Sequence, residues 1–287
     1  MNPKVIPFYE EETGTFSYLV QDPNSLSCAI IDPVLNFNLA TGEIGHDSAN
    51  AIVAYVKDNQ LEVQWIIETH VHADHLTAAR YIKESVGGLI AISDRVAEVQ
   101  KTFGKLFNMK AGPNTGNCWF DHLFSDNETY RIGNLRGTAI STPGHTPACM
   151  THKIGDSAFV GDTLLQPDSG TARADFPGGD AAVLYQSIQK ILALPSQTRI
   201  FVCHDYGSDA GREVEFLSSV DEERRLNIHI NGSMKAEDFI RIREARDKTL
   251  EPPQLILPSL QVNICGGSFP AEEDNGIAYL KIPVNAL

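Results

Sequence analysis

The chain has 287 residues, 42% of them hydrophobic and 21% charged, with a formal net charge of −14. That composition belongs to a folded globular protein, and the acidic balance argues against nucleic acid as a partner, which would need clustered Lys and Arg. No run approaches the roughly 20 apolar residues of a membrane span, and residues 1–8 lack the apolar core of a signal peptide, so a cytoplasmic protein without a membrane partner is expected.

In chain order, residues 16–20 and 28–31 read as strands separated by the turn sequence Asp22-Pro23-Asn24-Ser25. Asp32-Pro33 ends the second strand. A polar loop then runs to about Gly45, followed by a helix from Ser48 with Ile52, Tyr55 and Val56 on one face. Residues 63–68 form a buried strand, 76–82 have helical spacing, 89–92 are a further strand and 95–107 look helical. Residues 108–118 carry no periodicity and read as a loop, either an active-site wall or a surface insertion. Beyond Thr129 come strands at 138–142, 150–154 and 157–160, then an amphipathic helix over 181–194 with Leu184, Ile188 and Ile191 inward. A strand at 199–202, helices at 214–226 and 236–249, and short extended segments around 255–257 and 279–282 complete the chain. No Pro/Gly/Ser-rich or charged spacer divides it, so residues 1–287 are expected to form one domain with a C-terminal extension, about 230–287, packed on it. So many short apolar strands are best buried by a two-sheet core with helices outside.

The chemistry concentrates in Thr69-His70-Val71-His72-Ala73-Asp74-His75, between a buried strand and a helix. Side chains in such a loop converge while the flanking elements hold them still, and imidazole with carboxylate suits a first-row metal. Three later strand exits repeat the pattern: Pro143-Gly144-His145-Thr146, Gly161-Asp162-Thr163 and Cys203-His204-Asp205-Tyr206. If those strands lie side by side, His70, His72, Asp74, His75, His145, Asp162 and His204 form one rim. His46, His122, His152 and His229 lack that context and are read as non-functional. The five cysteines are widely spaced and never in a C-x-x-C pattern, which argues against a disulfide framework and for small core residues.

The His-x-His-x-Asp-His run, followed by Pro-Gly-His-Thr, Gly-Asp and a late His, resembles the metallo-β-lactamase superfamily over nearly the whole chain. The resemblance implies an α/β fold, an αββα sandwich of two mixed sheets with helices outside and the metal site at their shared edge. Within it, His204-Asp205-Tyr206, Arg173-Ala174-Asp175-Phe176 and the stretch from Leu184 to Pro195 resemble the persulfide dioxygenase branch. That branch implies one Fe(2+) per chain on His70, His145 and Asp162, with His72, Asp74, His75 and His204 orienting them. Arg173 and Tyr206 would contact the glutathione part of the substrate. The partners would be glutathione persulfide and O2, the products sulfite and glutathione; enzymes of the branch are often dimers, so a homodimer is a further expectation. Ser169-Gly170-Thr171-Ala172 departs from the branch's Gly-Cys-Gly approach to that Arg, and the loops at 34–47 and 108–120 are longer than in the mitochondrial enzyme. Two other readings stand beside it: a dinuclear hydroxyacylglutathione hydrolase of the glyoxalase II type, for which all seven ligand residues are present, and a metal-dependent redox or sulfide sensor.

Overall fold

Short apolar runs of strand length set the architecture. A computed structural model describes residues 1–109, 119–208 and 211–286. In its first half, strands β1 (Lys4–Glu10), β2 (Thr15–Gln21) and β3 (Ser27–Ile31) form an antiparallel meander. A small hairpin, β4 (Val34–Asn38) and β5 (Glu43–Gly45), and helix α1 (Asp47–Asp58) lead to β6 (Glu62–Ile67), which pairs parallel to β3. After β7 (Leu76–Thr77), helix α2 (Ala79–Val86), β8 (Leu89–Ser93), helix α3 (Val96–Leu106) and β9 (His122–Phe124), the first sheet is complete in the order β1-β2-β3-β6-β8-β9.

The second half builds β10 (Glu128–Ile132), β11 (Leu135–Ser141), β12 (Met150–Ile154) and β13 (Ser157–Phe159) by antiparallel pairing. Helix α4 (Ala181–Leu192) crosses over to β14 (Arg199–Phe201), which joins β13 in parallel, and β15 (Leu217–Ser219) closes the sheet. Helices α5 (Val220–Leu226), α6 (Ala236–Asp247) and α7 (Ile256–Asn263) follow.

The period of two along each strand explains the layers. Phe16, Tyr18 and Val20 of β2 and Ala29 and Ile31 of β3 face Tyr130, Ile132, Met150, Phe159 and Phe201 of the second sheet, making the inner core. The alternate residues Leu19, Ile30, Ile66 and Ile90 pack on Ile52, Ile82, Phe103 and Leu260 of α1, α2, α3 and α7. On the far side Ala158, Ile200 and Val202 pack on Leu184, Ile188, Val220 and Phe239 of α4, α5 and α6. The result is the expected αββα sandwich.

Several local expectations are corrected. The helix expected over 214–226 begins only at Val220, because Ser219 caps it by accepting the Glu222 N–H, and Leu217–Ser219 pairs with β14 instead. The run at 255–257 is not extended: Ile256 and Leu257 open α7, a short apolar run that periodicity cannot assign. Residues 279–282 form no strand; Lys281 exchanges two hydrogen bonds with the Gln261 side chain. The polar loop before Gly45 contains the β4–β5 hairpin, and the helical spacing from Leu76 starts as β7. Of the 108–118 loop, residues 110–118 lie outside the described residues. Among the described residues, no helix is long and apolar enough to cross a membrane.

Candidate metal centre

Strands β3, β6, β11, β13 and β14 all discharge at one edge of the sandwich, and their exits carry the polar residues. The Thr69 carbonyl accepts the Met150 N–H at 2.9 Å, joining the two halves there. Two tight glycines shape the rim. Gly144 has φ 136° and lies against the Leu184 backbone, and Gly161 has φ 52°, where a Cβ would stand 2.6 Å from the Thr69 hydroxyl. Neither position accepts a side chain without displacement.

The seven predicted residues come together. His70 Nε2 and His145 Nε2 lie 3.8 and 3.6 Å from Asp162 Oδ2. His204 Nε2 lies 3.2 Å from Asp74 Oδ2 and 3.4 Å from Asp162 Oδ1. The ligand atoms form two neighbouring groups, His70–His145–Asp162 and His72–Asp74–His75–His204, each with every atom within 4.8 Å of the others.

Hydrogen bonds behind the rim assign the tautomers. Thr69 Oγ1 donates to Asp32 Oδ2 (2.9 Å), so it accepts from His70 Nδ1 (3.0 Å), leaving His70 Nε2 as a free lone pair. His72 Nε2 donates to Asp32 Oδ1 (3.0 Å), which leaves Nδ1 free. His145 Nδ1 donates to the Arg173 carbonyl (2.8 Å). His204 Nδ1 donates to Thr15 Oγ1, which leads through the Thr13 hydroxyl to the buried Glu10 carboxylate.

Burial, and then the neighbouring imidazoles, hold the His70 and His72 pKa values well below the usual range. Both rings are therefore neutral, the form that ligates metal. Burial works against charge on His204 as well, but Asp74 and Asp162 raise its pKa; burial likewise opposes charge on Asp74, and His204 and His75 outweigh it and hold that carboxyl well below the usual range. His70 Nε2, His72 Nδ1, His75 Nε2, His204 Nε2 and Asp162 Oδ1 are buried with no hydrogen-bond partner. Five orphaned polar atoms at one point would be costly in a cavity without a cation, and lone pairs with a carboxylate are what a transition metal takes. The residues fit a metal.

Three site residues escape sequence reasoning. Asp32, which holds both Thr69 and His72, looks there like the end of a strand; its signal, an apolar strand closing on Asp, is the one used for Asp162. Glu68 stands 3.5 Å from His72, its pKa raised well above the carboxylate range by burial and by Asp32. Asn263, from α7, donates to the His72 and His75 carbonyls and accepts the Thr77 N–H, and nothing in its local sequence marks it. The histidines outside the motif lie elsewhere: His152 bonds Tyr130, and His229 accepts the Thr171 N–H.

A cavity of about 830 Å³ opens beside the rim, lined by His145, Asp162, His204, Tyr206, Arg173 and Arg246 among others. Tyr206 is 71% exposed and its ring runs parallel to that of His204. The Arg173 guanidinium forks onto Asp175 and also donates to the Glu251 and Leu250 carbonyls.

The metallo-beta-lactamase superfamily model matches residues 11–204. A beta-lactamase hydrolase-like protein of Xylella fastidiosa is 47% identical over 99% of this chain, which spans only 65% of that protein. The Dictyostelium discoideum protein named Glyoxylase B2 is 46% identical, over 99% of this chain and 98% of its own. Mouse mitochondrial persulfide dioxygenase ETHE1 is 30% identical, over 91% of this chain and 88% of its own. The crystal structure of ETHE1 from Myxococcus xanthus superposes with a TM-score of 0.74 at 27% identity, covering 92% of this chain and 100% of that one. With its histidine rim at the shared edge of two sheets, the chain belongs to the metallo-beta-lactamase superfamily.

Proposed function

We propose that the protein is an iron-dependent persulfide dioxygenase acting on glutathione persulfide. The observation that carries this reading is the His70–His145–Asp162 group, two imidazole Nε2 atoms and one carboxylate, the donor set of non-haem ferrous oxygenases. The similarity to the persulfide dioxygenases, which extends over nearly the whole chain, supports it. Ferrous iron held there would supply the redox chemistry with O2. In the overall reaction the S–S bond breaks and the terminal sulfur loses four electrons to O2. With one water the products are sulfite and glutathione, and no external donor is needed.

The chain's own part is positioning. Thr69 and the Arg173 carbonyl hold two ligand imidazoles with Nε2 forward. Arg246 lines the cavity and, among the described residues, no carboxylate pairs with it, whereas Arg173, Arg212 and Arg243 are each held by one or more. Arg246 is thus the freer guanidinium for a glutathione carboxylate, and Arg173 shapes the wall. Arg246→Ala is expected to raise KM about tenfold with little change in kcat, read from initial rates of O2 uptake.

A second reading is a thioester hydrolase of the glyoxalase II type, favoured by the neighbouring His72–Asp74–His75–His204 group and by the names of more similar relatives. One purified sample decides. Under the dioxygenase reading an oxygen electrode records consumption with glutathione persulfide, lost in His145→Ala, and S-lactoylglutathione is barely hydrolysed. Fast thioester hydrolysis without O2 uptake, in protein holding its native metal, establishes the hydrolase instead.

A further inference from the structure

Three of the rim histidines share a feature beyond their convergence. His72 reaches a buried carboxylate directly at Asp32, His70 reaches the same one through the Thr69 hydroxyl, and His204 reaches Glu10 through two threonine hydroxyls. His145 has no such side-chain partner; its Nδ1 ends on the Arg173 carbonyl.

That carbonyl belongs to the peptide unit whose N–H is on Ala174, and the Ala174 N–H donates to Asp247 Oδ2 at 2.8 Å. In a trans peptide the C=O and N–H point in opposite directions. One rigid plane therefore lies between the imidazole and the Asp247 carboxylate, its negative end toward the His145 N–H and its positive end toward the anion. Each bond polarises the next in a low-dielectric interior.

Asp247 is fixed in turn. Its Oδ1 lies 2.6 Å from Arg243 Nη2 and accepts from Arg243 Nε at 2.8 Å, and Arg243 Nη1 donates to the Thr171 carbonyl at 2.8 Å. The two side chains are 4% and 2% exposed. A buried pair of this kind seldom adds net stability over apolar packing, yet here both partners grip the same segment, 171–174, from one face of α6.

We propose that Asp247, clamped by Arg243, is a positioning residue for the metal site, acting on His145 through the Arg173–Ala174 peptide as a carboxylate–peptide–imidazole relay. The relay fixes the His145 tautomer and ring direction and makes Nε2 a better donor, the service that Asp32 gives His72 by direct contact. It rests on His145 being a metal ligand.

The test uses metal-free protein titrated with Co²⁺, followed by visible absorbance, so that no turnover is needed. Asp247→Asn removes the charge while keeping an acceptor oxygen. Arg243→Met combined with Asp247→Leu removes the pair and refills its volume without leaving a lone buried charge. In variants that melt as folded proteins, Co²⁺ affinity is expected to fall about 10-fold or more. The His145 Nδ1 proton resonance of the metal-free protein is expected to move upfield. Wild-type affinity with an unmoved resonance, in either folded variant, overturns the relay. His145→Ala is the reference: if it binds Co²⁺ like the wild type, the ligand assignment falls and the relay with it, whereas a loss there without one at Asp247 refutes the relay alone.

Discussion

Asp32 carries more of the site than any residue outside the histidine motif. Its φ of 49° lies in the left-handed region, which Asp and Asn tolerate better than other non-glycine residues. From there one oxygen accepts the Thr69 N–H and the His72 Nε2–H, and the other accepts the Thr69 hydroxyl that orients His70. Asp32→Asn keeps the backbone preference and removes the charge, so it isolates the carboxylate's electrostatic role. It is expected to weaken metal binding about 10- to 100-fold, measured by competition with a chromophoric chelator. Unchanged affinity would mean that shape alone holds His72.

At the scale of elements, the turns tie the sheets together. Asp22, in the turn from β2 to β3, accepts from the backbone and side chain of Asn134 in the turn from β10 to β11, and from Asn24 N–H and the Ser25 hydroxyl. Burial opposes its charge, but the Asn134 and Asn24 amides and the Ser25 hydroxyl outweigh it and hold the pKa at about 2, below the ordinary 3.8. The unfolded chain binds the proton more tightly, so this contribution is complete above pH 3.8 and fades as pH falls toward about 2. Asp22→Asn is expected to cost about 1–3 kcal/mol at neutral pH and to flatten the acid limb of a Tm-against-pH curve.

The same scale shows what the sequence makes legible. Strands such as 28–31 and 157–160 stand out because they are buried on both faces, and the exits at His145, Asp162 and His204 stand out because His or Asp recurs there, in two of the three beside Gly. Asp32 carries the strand-then-Asp signature without a histidine neighbour in sequence and reads only as the end of a strand. Asn263 and Asp247 lie nearly two hundred and about one hundred residues from the histidines they serve, on helices whose own patterns speak only of packing. Leu217–Ser219 was hidden because a strand continues directly into a capped helix.

For the whole molecule, the metal would bridge the two halves, since His70 follows a strand of the first sheet while His145, Asp162 and His204 follow strands of the second. A ligand at a thousandfold its Kd adds about 4 kcal/mol to the folded state. Chelation is therefore expected to lower Tm by roughly 10 °C, read by calorimetry with and without chelator. A Tm that does not move would place the ion outside the joint.

The joint also dates itself in the history of the chain. The residues that would hold the ion and their immediate supports run from Glu10 to Asn263, so the joint cannot exist before strands distant in sequence have found one another. Closures of that length are slow. Uptake of metal during refolding is then governed by the arrival of the chain rather than by the ion's diffusion: its rate is independent of ion concentration once the ion is in excess, and the optical signal of binding marks the completion of the fold.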